Sequence, residues 1–258
     1  MMYGRTMPLI SCILAIACLI MVLSGTPAAR AEEQDSTLSR RAVEQMVREF
    51  LIREPEVLEE AFGALQVKRE EAAEAWVQDS LRREAANFFD DPSDPVIGNP
   101  EGAVRMVYFL DYQCGFCKSM HETLAARLTA DGSVRASFKE LPVLGEMSVA
   151  GARAALAAGR QGAYRAMHDA LMTHQGRLSE EDILGIVLEI GLDMVQFEAD
   201  WESEELVQKI ERNHELAALI RVQGTPALVI GERVYRGAVP GEVLDEAIQS
   251  AVDARLVQ

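Results

Sequence analysis

Cysteine is scarce in this chain: 258 residues carry four, Cys12, Cys18, Cys114 and Cys117. A secreted disulfide framework shows several pairs at wide spacing, so that class is excluded. One close pair, three apart, encloses too short a loop to restrain the unfolded chain much. A structural zinc ribbon needs a second Cys pair, and none follows Cys117. Basic charge is also short, with 25 Lys and Arg against 41 Asp and Glu and a formal net charge of −16. Nothing basic is clustered to neutralise phosphates, which argues against nucleic-acid binding. The apolar stretch from Leu9 to Leu23 is about 15 residues, short of the ~20 that span a bilayer. There is no internal repeat and no long low-complexity segment.

What the N-terminus does have is the layout of a secretory signal peptide. Arg5 is the only early charge, the apolar stretch follows, and Ala29-Arg30-Ala31 is placed as a cleavage site. Residues 1–31 are therefore expected to be removed after Ala31 and the rest exported to the periplasm. An uncleaved anchor is the alternative, opposed by the length. Lipid attachment at Cys18 is opposed by the apolar stub, Leu19 to Leu23, that it would leave. Cleavage leaves Cys114 and Cys117 as the remaining cysteines, in a compartment where disulfides persist.

Three regions separate. Residues 32–90 read as a charged helical stalk. Val43, Met46, Val47, Phe50 and Leu51 line one face, and Glu54-Pro55 interrupts the helix. A second pattern runs through Leu58, Phe62, Leu65, Ala72 and Trp76, then shifts phase to Val77, Leu81, Ala85 and Phe88. Packing on the rest of the chain and self-association into a dimer or trimer are both open. Asp90-Asp91-Pro92-Ser93-Asp94-Pro95 reads as a linker, and residues 91–258 as the catalytic domain. Its order is strand (Val104–Leu110), helix (Cys114 to about Ala130), strand (Val134–Lys139), a helical block within about 145–222, strand (Ala227–Ile230), strand (Val234–Arg236), helix. Ser179 with Asp182 is a capping-box start inside the block.

The chemistry lies in Phe109-Leu110-Asp111-Tyr112-Gln113-Cys114-Gly115-Phe116-Cys117-Lys118. A strand running into a helix sets Cys114 at the helix start, where the positive dipole end and unpaired N–H groups favour thiolate. Cys117, one turn on, is shielded. Cys114 is then the attacking nucleophile and Cys117 resolves the mixed disulfide, with Gly115 and Phe116 between them tuning access to the sulfur. His121 is a conceivable third ligand for a metal held by the two cysteines, though a plain helix residue is the commoner case. His168, His174 and His214 read as structural, and no metal site is assigned.

These residues, together with Gly224-Thr225-Pro226-Ala227 before a strand, resemble the DsbA-type thioredoxin-fold family. The resemblance is to the ScsC/Com1-like branch of exported thiol–disulfide isomerases. It extends over the amphipathic segment Val43 to Glu60, the stretch Lys139-Glu140-Leu141-Pro142-Val143-Leu144-Gly145, and Tyr235-Arg236-Gly237-Ala238-Val239-Pro240. It implies an α/β (α+β) thioredoxin fold with an inserted helical domain and an N-terminal oligomerisation segment. It implies a cis Thr225-Pro226 bond beside the Cys pair, with both residues binding substrate. One position departs: relatives carry an acid six residues before the first Cys, and here that residue is Tyr108, with Asp111 the nearest acid. Lys139 is open between a buried basic residue and an exposed one.

The function implied is disulfide isomerisation through Cys114 and Cys117, with no cofactor beyond their own redox-active disulfide. Expected partners are unfolded or misoxidised exported proteins, a membrane redox partner, and further copies of the chain. A monomeric DsbA-like oxidase and a periplasmic Cu(I) binder using the Cys pair are the alternatives; soft thiolates suit Cu(I).

Overall fold

The computed structural model describes residues 39–130 and 132–256. The expected leader, 1–31, lies outside them. The chain divides into two compact units, one ending at Gly63 and one beginning at Ala64.

In the first unit, α1 spans Arg40–Arg53, and the Ser39 hydroxyl accepts from the Ala42 N–H at 3.3 Å to cap it. Glu54, before Pro55, leaves helical geometry at φ −125° and ψ 65°, and α2 (Glu56–Arg83) starts afresh. The apolar face read from the sequence is present. Val43, Met46, Val47 and Phe50 of α1, and Leu58 and Phe62 of α2, are all exposed, and α1 buries none of its residues.

The division falls inside α2, not at the 90/91 boundary expected from composition. The phase shift explains it. Val77 and Leu81 turn inward, and with Phe88 and Phe89 of α3 (Ala85–Phe89) they enter a core with the strand residues Val107 and Phe109. The charge of this stretch had masked a helix end that packs on the sheet.

That sheet has five strands: β1 (Val96–Gly98), β2 (Val104–Leu110), β3 (Val134–Glu140), β4 (Ala227–Ile230) and β5 (Arg233–Arg236). They lie in the order β1-β3-β2-β4-β5. Only β2 and β3 pair parallel, so a crossover must join them, and α4 (Gly115–Ala130) is that crossover. Side chains alternate along β2. Met106, Tyr108 and Leu110 face α4, α10 (Gly241–Leu256) and the inserted helices; Val107 and Phe109 face α2, α3 and α9 (Glu204–Leu219). With both faces covered, β2 is buried at six of seven positions, which is why it reads as a continuous apolar run.

The insertion holds α5 (Glu146–Arg160), α6 (Tyr164–Thr173), α7 (Glu180–Ile190), α8 (Met194–Trp201) and α9 (Glu204–Leu219). The Ser179–Asp182 capping box closes both ways at the start of α7. Two elements were not expected. Strand β1 is only three residues and pairs at the edge of β3, and α8 is eight residues capped by Asp193.

The expected linker is not loose. Asp94 is fully buried at its side chain and ion-pairs with Lys139 of β3 and Lys209 of α9. Lys209 also reaches Asp91 at 2.9 Å and Ser93 Oγ at 2.8 Å. Lys139 is thus the buried basic residue. Burial lowers its pKa, and the Asp94 charge opposes that shift.

Candidate active site

Helix α4 begins where the chain turns out of β2. The Cys114 N–H donates to the Asp111 carbonyl at 3.1 Å, and the Cys114 carbonyl accepts the first helical bond, from Lys118 N–H, at 3.0 Å. Cys114 therefore stands at the N-cap, and its sulfur takes the part that a Ser or Asp oxygen plays there. The Cys114 thiol falls to about 5. The hydrogen bond from Cys117 lowers it most; burial opposes; the Thr225 side chain and the Cys117 and Phe116 N–H groups add to the lowering. Cys117 moves the other way, far above the usual thiol range, because it donates to Cys114 and is fully buried. One sulfur is thus favoured as thiolate and the other as thiol. Cys114 is itself only 6 % exposed, so the reactive sulfur is reached over a small opening.

Across from the pair, Thr225-Pro226 is a cis peptide. The Thr225 carbonyl lies 3.2 Å from Cys114 Sγ and accepts its S–H. The Thr225 hydroxyl is buried beside the pair without a hydrogen-bond partner of its own, and its nearness favours the thiolate form of each sulfur. Cys114, Cys117, Gly115, Phe116, Thr225 and Pro226 are thereby brought to one locus.

A titration follows from this electrostatics. Below about pH 5 Cys114 is a thiol, and above it a thiolate. Alkylation of the reduced protein by iodoacetamide should rise with pH to a plateau with its midpoint near 5, several pH units below a free cysteine. In Thr225→Val the midpoint should move to higher pH, since a buried hydroxyl beside the sulfurs, which favours the thiolate, is replaced by a methyl group.

Asp111 does not act as a spare acid. Its Oδ1 accepts the Gln113 N–H at 2.7 Å, and its Oδ2 accepts the Val143 and Leu144 N–H groups at 2.8 and 3.1 Å. It fastens the loop after β3 to the active-site turn. Phe116, Val143 and Leu144, on the two segments so joined, leave their side chains exposed.

Tyr108 lies beneath the site, 1 % exposed, beside Cys117. Burial first, and the cysteine sulfur second, push its phenol well above its ordinary range. A neutral hydroxyl therefore stands six residues before Cys114, where the resemblance implies an acid.

A buried carboxyl is nonetheless present, and sequence reading missed it. Glu140 ends β3 opposite Leu110, two positions beyond Phe138, which pairs with Tyr108. Its Oε1 accepts from Tyr112 at 2.9 Å and Tyr164 at 2.7 Å. Burial pushes it up to about 8 against those two bonds. The Tyr112 hydroxyl also meets His168 Nδ1 at 3.1 Å. The only hint in the sequence was a Glu closing a strand whose apolar and polar residues alternate. His121 does not join the cysteines; it sits with His168 and Asp169.

A mixed sheet with a dithiol at the N-terminus of its crossover helix, facing a cis-proline loop, defines a thioredoxin-fold redox centre. The chain belongs to the DSBA-like thioredoxin domain family, whose model matches residues 105–249. Residues 40–72 match the N-terminal domain of the copper resistance protein ScsC. A thioredoxin-like oxidoreductase from Silicibacter pomeroyi is 39% identical with a TM-score of 0.63, over 65% of this chain and 97% of its own. A linker-deletion mutant of Proteus mirabilis ScsC is 25% identical with a TM-score of 0.66, over 89% of this chain and 100% of its own. Among curated proteins, the Na(+)/H(+) antiporter NhaA 1 of Salinispora arenicola is 32% identical over 164 residues. That match takes in 63% of this chain but only 25% of the antiporter, so the chain spans about a quarter of that relative's length.

Proposed function

We propose that the chain is an exported, periplasmic thiol–disulfide oxidoreductase that rearranges disulfides in misoxidised proteins. The observation that carries the chemistry is the asymmetry of the pair: Cys114 lowered to about 5, Cys117 raised and buried. The Cys114 thiolate attacks one sulfur of a client disulfide. A mixed disulfide forms and the other client sulfur leaves as thiolate. A second client thiolate then attacks the mixed disulfide at the client sulfur, which gives a new client bond and returns Cys114 with no net redox change. Where no client thiol arrives, Cys117 attacks Cys114 instead. The client leaves reduced, and the Cys114–Cys117 disulfide awaits a membrane redox partner.

Two features support client binding. Thr225 offers its backbone beside Cys114, and Phe116, Val143 and Leu144 give unfolded chains an apolar surface. Preference for isomerase over a monomeric oxidase rests on the exposed face of α1. Val43, Met46, Val47 and Phe50 would be costly left in water, and a homo-oligomer buries them. Holding several Cys114 sites around one client favours repeated attack.

The test uses the full mature chain and its Val47→Asp/Phe50→Asp variant. The parent should sediment as a dimer or trimer and restore scrambled ribonuclease. The variant should sediment as a monomer and lose at least about tenfold of that activity, while still reducing a small-molecule disulfide at the parental rate. A monomeric parent would defeat the isomerase reading and leave the oxidase. Failure of both proteins to exchange disulfides, with tight Cu(I) binding lost in Cys114→Ser, would favour the copper reading.

A further inference from the structure

Helices α4 and α6 bring together three groups that the dithiol chemistry does not use. One ring nitrogen each of His121 and His168, and a carboxylate oxygen of Asp169, all lie within 4.8 Å of one another. The His121 Nε2 to Asp169 Oδ1 separation is 3.4 Å. That is long for an N–H···O hydrogen bond, which falls at about 2.7–3.2 Å. It matches the edge of a tetrahedron whose metal–ligand bonds are about 2.0–2.1 Å, an edge of roughly 3.3–3.4 Å.

The state of His168 is set from behind. Tyr112 has one proton, and Glu140 Oε1 accepts it at 2.9 Å. With that proton donated to Glu140, the Tyr112 oxygen is left to accept from His168 Nδ1–H across their 3.1 Å contact. This fixes the tautomer and leaves the lone pair on Nε2. A carboxyl, a hydroxyl and an imidazole in series are the outer support that ligating histidines use to hold ring orientation. His168 is buried, 2 % exposed, so its ring is held in place by the surrounding core.

Access comes from the surface side. His121 and Asp169 are partly exposed, and a shallow depression lined by His121, Glu122, Thr129, Arg165 and Thr173 opens beside them. Arg165 is the opposing feature. Its Nε is 3.4 Å from Asp169 Oδ2, the oxygen not turned to His121. It can keep that contact while Oδ1 binds a cation.

We propose that His121, His168 and Asp169 form a second site, separate from the cysteines, for a borderline divalent transition-metal ion such as Zn²⁺ or Cu²⁺. Two imidazoles and one carboxylate suit those ions, whereas Ca²⁺ and Mg²⁺ prefer all-oxygen sets. A fourth position is left for water. The bound ion would clamp the active-site helix to the helical insertion without touching the redox pair.

The experiment removes thiolate ligation first. The full mature chain carrying Cys114→Ser and Cys117→Ser is titrated with Zn²⁺ against a chromophoric chelator, and with Mg²⁺ as control. One equivalent of Zn²⁺ should bind and raise the melting temperature, and Mg²⁺ should do neither. His121→Ala and the isosteric Asp169→Asn, both at partly exposed positions, should each weaken Zn²⁺ at least tenfold without lowering the melting temperature of the metal-free protein appreciably. No stoichiometric binding by the Ser/Ser protein would overturn the proposal. So would binding undiminished in both ligand variants. Because the cysteines are absent throughout, neither result depends on the disulfide chemistry.

Discussion

Cys114→Ser should lower thiol–disulfide exchange by at least about a thousandfold, and Cys117→Ser should instead accumulate mixed disulfides with client proteins. The two variants separate roles that a shared motif would leave equal. Cys114 is the sulfur held near 5 at the helix start, so its loss removes the thiolate, and a serine hydroxyl cannot replace it as nucleophile or leaving group. Cys117 is buried and keeps its proton. Its loss leaves attack intact and removes escape. The Cys114–client disulfide then persists until another thiol reaches it. Non-reducing electrophoresis of each variant after incubation with oxidised client, followed by mass mapping of the linked cysteine, checks both. Equal trapping by both variants would contradict the assignment of roles.

Asp94→Asn should cost about 3–5 kcal/mol, as expected when one partner of a buried ion pair is removed. Asp94 serves two lysines at once. Its carboxylate binds Lys139 through one oxygen and Lys209 through the other, all three side chains being 5 % exposed or less. Without it, Lys209 retains Asp91, whereas Lys139 has no other carboxylate bound to it among the described residues. Lys139 must then give up its proton inside the core, a direction in which burial already pushes it. For a domain of this size the loss corresponds to roughly 6–20 °C in melting temperature. Adding Lys139→Met to Asp94→Asn should recover part of it, because the uncompensated charge is gone. Thermal unfolding of the three proteins at neutral pH decides the matter; a single variant within about 0.5 kcal/mol of the parent would refute the account.

What the sequence made legible shares one property: each signal lies within a few residues. Cys114 and Cys117 are one turn apart, the capping box spans Ser179 to Asp182, and Thr225 adjoins Pro226. Strand β2 was legible because burial on both faces writes a run of apolar residues. The illegible parts depend on convergence. Glu140, Tyr112 and His168 come from a strand end, a turn and a helix, and no periodicity links them. The Asp91–Lys209 contact closes a separation of 118 residues. Its acids stood in the sequence only as turn formers beside prolines. Strand β1 is too short to show a period, and its pairing is set by β3. In α2 the signal was present as a phase shift, but only packing tells which phase meets the sheet and which faces outward.

The Tyr108 position bears on tuning. A neutral phenol offers no charge to oppose the Cys114 thiolate, whereas a buried carboxylate there would. Thiolate stabilisation favours the reduced pair and makes the disulfide more oxidising.

The most direct measurement of the central claim is therefore the equilibrium of the Cys114–Cys117 disulfide with glutathione at pH 7. The expected potential is well above the value of about −270 mV typical of thioredoxin, since each tenfold stabilisation of the reduced form adds about 30 mV. A potential at or below about −270 mV, or no Cys114–Cys117 disulfide at all, would contradict the reading of Cys114 as a stabilised, exchange-competent thiolate.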